Sequence, residues 1–554
     1  MKKTIIIIVA FLGLLSYSFT TSDYFEISKN LEIFTTLYKE VNTYYVDDID
    51  PNEFIQTGID AMLKSLDPYT TYYPESEIED YRFQTTGKYG GIGSYIKRRK
   101  DYIIISEPYE NSPAVKAGLI AGDKIIAVDD KFIKDKTSQE VSKLLKGEPG
   151  TTITVKVLRP QKDGKEKELL LDITREEVKM KNVPYFGMVD KGIGYIKIAH
   201  FTQKASKEVE DAYISLKKEN PNLKGIVLDL RGNPGGLLKE AINISNVFLP
   251  KNQLVCFTHG KIKDWDKEFL TKNEPQDIKI PIAVLTSKGS ASASEIVSGT
   301  MQDLDRGVVI GQKTYGKGLV QTTKSLDYNT KLKVTTAKYY IPSGRCIQAI
   351  NYAEKDETGA VKKIPDSLKI AFKTKNGREV FDGGGIDPDI KIERETLSYI
   401  ATNLMKKDLI FDYATIYTLH NETIEKASNF RLSEKEYQDF IDWIKTKDFE
   451  YETESEVLLE DFEKASKDDE YYNAIKNTLE ELKKEISHNK ANDLISFKED
   501  IKMLLESEIT KRYYFRKGSI ENYFHYDKEL NEALKILNDL GIYNKILKND
   551  KVKF

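Results

Sequence analysis

Three serines and one lysine are the residues whose types and spacing could do chemistry. Ser290, Ser292 and Ser294 alternate with alanine in Ser290-Ala291-Ser292-Ala293-Ser294-Glu295, and Lys317 stands between Gly316 and Gly318. A serine hydroxyl is a poor nucleophile until a neighbouring base takes its proton. No histidine lies between Ser287 and Gln321, so Lys317 is the available base. It serves only when deprotonated, which requires burial among apolar groups to bring its pKa towards neutrality. Gln321, four residues on, falls on one strand face with Leu319 and Thr323 and could orient the amine without adding a competing charge.

The elements that must position these groups are legible on either side. The apolar run Ile280-Pro281-Ile282-Ala283-Val284-Leu285 reads as a buried strand, and Ile296, Val297, Met301 and Leu304 are spaced for one helix face. The serines therefore stand at a strand-to-helix turn. A second apolar strand, Val308-Val309-Ile310, leads into the lysine loop. The first turn of a helix offers unpaired N–H groups and the positive end of its dipole to a developing oxyanion. Upstream, the buried strand Gly225 to Leu230 ends in Arg231-Gly232-Asn233-Pro234-Gly235-Gly236, before a helix over Leu237 to Phe248. Glycines there bring backbone donors close to a reacting group. The Ala293 N–H and one from Gly235 or Gly236 are the candidate oxyanion donors. The bland reading of the glycine run is an ordinary βα turn.

Around this α/β region, with its strand Gly194 to Ile198 and amphipathic helix Ser206 to Lys218, the chain changes character twice. Residues from about Phe25 to Asp80 carry helical stripes (Leu31, Phe34, Leu37, Tyr38; Phe54, Ile55, Ile59, Met62, Leu63) broken at Leu66-Asp67-Pro68. Such helices could support a core or pack a dimer. From Gly87 come a glycine loop, alternating strands, a short helix Ser112 to Leu119, a strand from Gly122, a helix Ser138 to Lys146 and a strand Thr152 to Leu158. After Lys317, two strands are expected, over Leu332–Thr335 and Lys338–Ile341. Beyond Pro388 lysine, glutamate, leucine and tyrosine dominate without proline, which predicts a mostly helical C-terminal region with solvated charged faces and no chemistry.

At 554 residues the chain is expected to hold two to four domains. Its 40% hydrophobic and 31% charged residues suit soluble cores, and a net charge of −4 gives no reason to expect nucleic acid as a partner. Cys256 and Cys346 permit one bridge or two free thiols. Five scattered histidines show no metal-ligand spacing. Lys2-Lys3, an apolar run from Ile5 to Leu15 and Ser16-Tyr17-Ser18 read as a signal peptide, too short to span a membrane, although an uncleaved N-terminal anchor stays open.

Two resemblances follow from these motifs. The order Gly90-Gly91-Ile92-Gly93, strands, Pro113-Ala114-x-x-Ala117-Gly118, Gly122-Asp123-x-Ile125, helix, strand resembles a PDZ domain. That implies that Gly91, Ile92 and Gly93 offer N–H groups to a peptide C-terminal carboxylate while the peptide adds as a strand. The longer series resembles the carboxy-terminal processing, or tail-specific, proteases, a serine peptidase family. It runs Leu66-Asp67-Pro68, Asp229 to Gly236, Ser290 to Glu295, Thr314-x-Gly316-Lys317-Gly318-x-x-Gln321, Pro342 to Arg345, and Gly384-Gly385-Ile386-x-Pro388-Asp389. This resemblance implies Ser292 as nucleophile, Lys317 as base 25 positions on, and Gln321 as its orienting amide. It gives Asp303 as an auxiliary acid of some members. At Lys146 many relatives carry an arginine tied to coupling of the PDZ domain with the active site, which puts that detail in doubt here.

The expected architecture is multi-domain α/β: signal peptide 1–18, N-terminal helical region 23–86, inserted β-rich PDZ domain 87–172, Ser-Lys protease core 173–390 and helical region 391–554. The expected function is an exported endopeptidase acting on polypeptides with nonpolar C-termini, without metal, nucleotide or other cofactor. A homodimer or an adaptor protein stays open as a partner. Three rivals are weaker. Gly311-Gln312-Lys313-Thr314-Tyr315-Gly316-Lys317 imitates a nucleotide-binding loop, but Gly318 stands where a hydroxyl must hold Mg²⁺, and strand rather than helix follows. A non-enzymatic PDZ scaffold or chaperone leaves Ser292, Lys317 and Gln321 unexplained. A hydrolase built on His200 or His259 lacks any supporting motif.

Overall fold

The apolar runs become neighbouring strands of one sheet in a computed structural model that describes residues 24–355, 361–447, 449–490 and 492–549. The expected signal peptide lies outside these residues. The sheet consists of β1 (Tyr185–Asp190), β2 (Ile193–Lys197), β3 (Gly225–Asp229), β4 (Ile282–Thr286), β5 (Val308–Gly311) and β6 (Ile390–Lys391), side by side in chain order. β1 runs antiparallel to β2 and all later pairs are parallel. Every residue of β3, β4 and β5 is buried, which is why they read as unbroken apolar runs rather than alternations.

Helices α1 (Ala205–Glu219), α2 (Leu238–Phe248) and α3 (Ala293–Asp303) cover one face of the sheet. Their Val209, Leu216, Ile244, Phe248, Ile296 and Met301 share a core with Ile196, Leu228, Val284 and Val309. The opposite face is covered by the C-terminal helices. Leu530, Ala533, Leu537, Tyr543 and Leu547 pack there against Tyr195, Val227, Ala283, Leu285 and Ile310. Because β3, β4 and β5 are parallel, their carboxyl ends lie on one edge, where ligands of such sheets bind. The loops leaving that edge are the glycine run, the serine turn and the lysine loop.

The segment from Ser94 to Thr174 forms its own sheet, in the order Ser94–Arg99, Tyr102–Pro108, Lys124–Val128, Thr152–Pro160, Glu166–Thr174, with the terminal strand Ser94–Arg99 beside helix Ser138–Leu145. Ile92, Ile103, Ile125, Val141, Leu145 and Val157 make its core. Lys88–Gly91 and Glu176–Lys179 pair as a two-stranded ladder where the chain enters and leaves this segment.

The described residues divide into two compact units, those of 24–78 with 321–336, and those of 79–320 with 337–549. The first contains a helix at 24–44, the helix Pro51–Lys64 capped by Asp50, and Thr71–Tyr73 paired antiparallel with residues 331–333. The two strands expected after Lys317 are in fact one, Lys331–Tyr340. Thr336 and Ala337, between the two expected strands, belong to this single strand.

The described residues of the C-terminal region are mostly helical between Tyr399 and Leu547, with connecting loops such as 421–433. Its longest helix, α4 (Lys498–Tyr523), is broken at Phe515, which takes φ 56° and ψ −162°. Ile501, Leu505 and Ile509 before the break belong to a core within the C-terminal region, whereas Ile520 and Phe524 beyond it pack on the central sheet. After α4 come α5 (Lys528–Asn538) and α6 (Leu540–Leu547). Ion pairs also join this region to the PDZ-like segment: Arg99 to Asp412 at 2.5 Å, Lys97 to Asp408 at 2.5 Å and Lys517 to Glu110 at 2.9 Å.

Candidate active site

Three serines after β4, Ser287, Ser290 and Ser294, are occupied in tying loops together. Ser290 Oγ accepts the Ser287 N–H and donates to the Leu230 carbonyl at 2.8 Å. Ser294 Oγ donates to the Asn233 carbonyl at 2.9 Å, and Ser287 Oγ accepts the Gly232 N–H at 3.0 Å. Ser292 stands half-buried at the N-cap of α3 with φ 54° and ψ −112°, a positive-φ conformation that costs a non-glycine residue about 1–3 kcal/mol. A serine on a strained turn between strand and helix is the arrangement of an exposed nucleophile.

Glu295 braces this turn. It is fully buried, and its carboxylate accepts four hydrogen bonds. Oε2 takes the N–H of Ser292 at 2.8 Å and of Lys317 at 2.9 Å, while Oε1 takes Thr314 Oγ1 at 2.5 Å and the Gly316 N–H at 2.7 Å. Burial pushes its pKa above the ordinary glutamate value, with the four donors pulling the other way. One carboxylate thus joins the serine turn to the lysine loop. Tyr339 adds a second tie: its hydroxyl donates to the Ser292 carbonyl at 3.2 Å and its N–H to the Gly318 carbonyl at 2.9 Å. Gly318 is required by a close approach, since a Cβ there would lie 2.9 Å from the Gln348 backbone nitrogen. Lys317 itself is half-buried.

The glycine run packs directly on the serine turn. The Ala291 N–H donates to the Asn233 carbonyl at 3.0 Å. Gly235 has φ 98°, and a Cβ on it would lie 2.9 Å from both the Ala293 nitrogen and Ser292 Cβ. Its own N–H is engaged by Asn233 Oδ1 at 2.8 Å, whereas Gly236 bridges to Phe201. The start of the run is anchored electrostatically. Arg231 bonds Asp229 through Nη2 at 2.7 Å and Asp527 of the C-terminal region through both terminal nitrogens, at 2.6 and 2.7 Å. Burial disfavours ionisation of Asp229, but the Arg231 and Lys197 charges hold its pKa far below the usual value.

The remaining expected residues are held by partners of their own. Asp303 closes α3, whose 11 residues put it about 15 Å along the axis from Ser292. Its carboxylate is held by Arg345 at 2.8 Å and the Ser343 N–H at 2.9 Å. Gln321 belongs to the first compact unit, where its amide donates to Thr335 Oγ1 at 3.1 Å. Thr335 meets Thr70, whose hydroxyl and N–H are held by Asp67 at 3.0 and 2.8 Å. The Leu-Asp-Pro turn is therefore linked to Gln321 by a chain of hydrogen bonds.

In the PDZ-like segment the Ile92 side chain enters the core, and the Ile92 and Gly93 carbonyls accept from Ala114 and Tyr109. Gly91 pairs with Glu176 in the two-stranded ladder. The loop thus leads straight into the terminal strand Ser94–Arg99. Lys146 bonds Asp80 at 3.1 Å and sits 5.7 Å from the Tyr89 ring centre. Cys256 and Cys346 are free thiols, and burial pushes Cys256 up to about 12.

Glu295, Tyr339 and the Arg231–Asp527 pair were not singled out as functional from the sequence. Only Glu295 leaves a local signal, an acid three residues after an N-cap serine.

Sequence comparison agrees with this geometry. Residues 192–356 match peptidase family S41, residues 90–173 a PDZ domain, and residues 400–537 the C-terminal helical domain described for probable PDZ-proteases. A carboxy-terminal-processing protease of Bartonella bacilliformis is 38% identical over 62% of this chain and 78% of its own. A probable CtpA-like serine protease of Staphylococcus aureus is 32% identical over 86% of this chain and 90% of its own. Among solved structures, a photosystem II D1 C-terminal processing protease is 25% identical, covering 66% of this chain and 93% of that one, with a TM-score of 0.35. On its likeness to the Bartonella and Staphylococcus proteases, with a serine on a strained turn and a lysine loop tied to it through one buried carboxylate, the chain belongs to the carboxy-terminal-processing serine endopeptidases of peptidase family S41.

Proposed function

We propose that this endopeptidase works by a Ser-Lys mechanism on exported proteins whose nonpolar C-termini it captures in its PDZ domain. Ser292 Oγ attacks the peptide carbonyl carbon while the neutral Lys317 amine takes its proton. The oxyanion is held by the N–H groups of Ala293 and Gly236, the Gly235 N–H being committed to Asn233. Collapse breaks the C–N bond, Lys317 returns the proton to the leaving amine, and a water activated by the same amine hydrolyses the acyl-enzyme. Gln321 orients the amine. Gly91, Ile92 and Gly93 receive the substrate carboxylate, and the peptide adds beside Ser94–Arg99. Asp303, paired with Arg345 at the far end of α3, is given a structural role in this reading.

The observation that carries this reading is the Glu295 carboxylate, which binds the backbones of Ser292 and Lys317 through a single oxygen. Export is supported by the basic and apolar N-terminal sequence, and a periplasmic location is the matching assignment. The test is cleavage of an unfolded reporter with an apolar C-terminus. Ser292→Ala and Lys317→Ala should each abolish it while leaving the melting curve unchanged; cleavage by either variant at the parent rate overturns the assignment.

A further inference from the structure

We propose that Asp527, in the C-terminal helical region, is a positioning residue for the peptidase reaction, acting through Arg231 on the loop that carries Gly235 and Gly236. The inference rests on the oxyanion reading given above.

Arg231 is the residue at which β3 gives way to the glycine run, so its position sets where that run begins. Its guanidinium has no freedom. One side meets Asp229, and Nη1 and Nη2 meet Asp527 Oδ1 and Oδ2 at 2.7 and 2.6 Å, a two-pronged pairing that fixes direction as well as distance. Its carbonyl accepts Lys197 Nζ at 2.9 Å. Asp527 is itself immobile. It is completely buried and caps α5, Oδ1 accepting the Leu530 N–H at 2.9 Å.

A second contact from the same helix start reaches the other loop. Glu529 Oε2 lies 3.2 Å from Arg231 Nη1, and its Oε1 accepts Gln312 Nε2 at 3.1 Å. Gln312 immediately follows β5 and opens the loop that leads to Lys317, its N–H bonded to the Thr286 carbonyl at 3.0 Å. The first turn of α5 therefore holds the exits of β3 and β5 together across the end of β4, behind Ser292. Interactions that fix loops bearing reacting groups matter to rate as well as to stability, because an error of about 1 Å costs up to about a hundredfold. Arg231 and Asp527 are 296 positions apart, so only a folded C-terminal region supplies this clamp.

The competing account is that the cluster only glues the C-terminal helices to the sheet, and kinetics separates the two. Purified full-length Asp527→Asn is compared with the parent on a reporter with an apolar C-terminus, with thermal melting recorded alongside. The expected result is kcat lower by about tenfold to a hundredfold, unchanged KM, and a cooperative melt above the assay temperature. Arg231→Lys should cost less kcat in the Asp527→Asn background than in the parent, since the contact the two residues share is already lost there. If Asp527→Asn does not fold, Asp527→Glu, which keeps the charge and displaces it by one methylene, should show the same kcat loss with KM and melting retained. Full kcat in a folded Asp527 variant, or a loss that merely tracks the unfolded fraction, overturns the proposal. Ser292→Ala run in parallel keeps the two readings apart: if it is inactive while Asp527→Asn is fully active, only the positioning role fails.

Discussion

Glu295 Oε2 accepts the backbone N–H of Lys317 at 2.9 Å, and the same oxygen accepts that of Ser292. The proposed base and nucleophile are thus located by one buried carboxylate rather than by two independent loops. Its burial is tolerated because four donors satisfy its oxygens.

Glu295→Ala should therefore damage both stability and rate. Each buried donor left unpaired costs about 1–3 kcal/mol, and kcat should fall at least about tenfold as the two loops separate. Glu295→Gln is no neutral substitute, since its NH₂ would face N–H or O–H donors on one side. Chemical denaturation and kcat measured together check this, and an active, fully stable alanine variant would refute it.

The pH dependence of stability follows from the direction of the Glu295 shift. Burial raises its folded pKa above the unfolded value near 4.3, so the folded chain binds a proton that the unfolded chain releases in the intervening window. Relative to Glu295→Gln, the parent should gain stability as pH falls through that window and show no pH-dependent difference above it. The gain is about 1.4 kcal/mol for each pH unit the window spans. Urea midpoints from pH 4 to pH 8, in steps of about half a unit, measure it; a parent that loses stability relative to the variant would mean that the four donors outweigh burial.

Asp67 should matter to catalysis although it is in the Leu-Asp-Pro turn. It holds Thr70, Thr70 meets Thr335, and Thr335 receives the Gln321 amide. Asp67→Ala is expected to lower kcat severalfold, and the effect should vanish in a Gln321→Ala background. Additive losses in this double-mutant cycle would break the link.

Asp303 should behave as a structural acid. Its pairing with Arg345 is wholly buried, and removing one partner of such a pair costs about 3–5 kcal/mol. Asp303→Asn should melt well below the parent, yet its folded fraction should show the parental pH–rate profile. A shifted profile would restore Asp303 to the chemistry.

Carboxylate capture predicts a difference between free and amidated peptides. Hydrogen bonds to a charged group are worth about 1.5–3 kcal/mol, so amidating an apolar C-terminus should weaken binding by about tenfold to a hundredfold. Calorimetry on the Ser292→Ala protein reads this directly; equal affinities would remove the carboxylate from recognition.

What could be read in advance was what local pattern encodes. β3, β4 and β5 stood out because burial on both faces leaves continuous apolar runs such as Ile226 to Leu228. The start of α3 was legible because small residues abut a 3.6-residue stripe. The single strand Lys331–Tyr340 was read as two because its mixed, half-buried residues carry no clear alternation. The C-terminal charges were read as solvated faces, which suits exposed Glu480 and Glu481 but not buried Asp527. Its partner lies almost three hundred positions away, and no window of sequence contains both. Glu295 ends the serine motif, and its spacing from Ser292 is that of a capping acid.

The φ of 54° at Ser292 also restricts which chemistries this scaffold can exchange. A threonine would bring a hydroxyl of similar reactivity, but branching at Cβ makes positive φ a severe outlier. The crowding at Gly235 leaves no room for the turn to relax. Cysteine is unbranched and meets no such bar. The backbone at position 292 can therefore trade oxygen for sulfur in one step, whereas a threonine hydroxyl is closed to it by backbone shape.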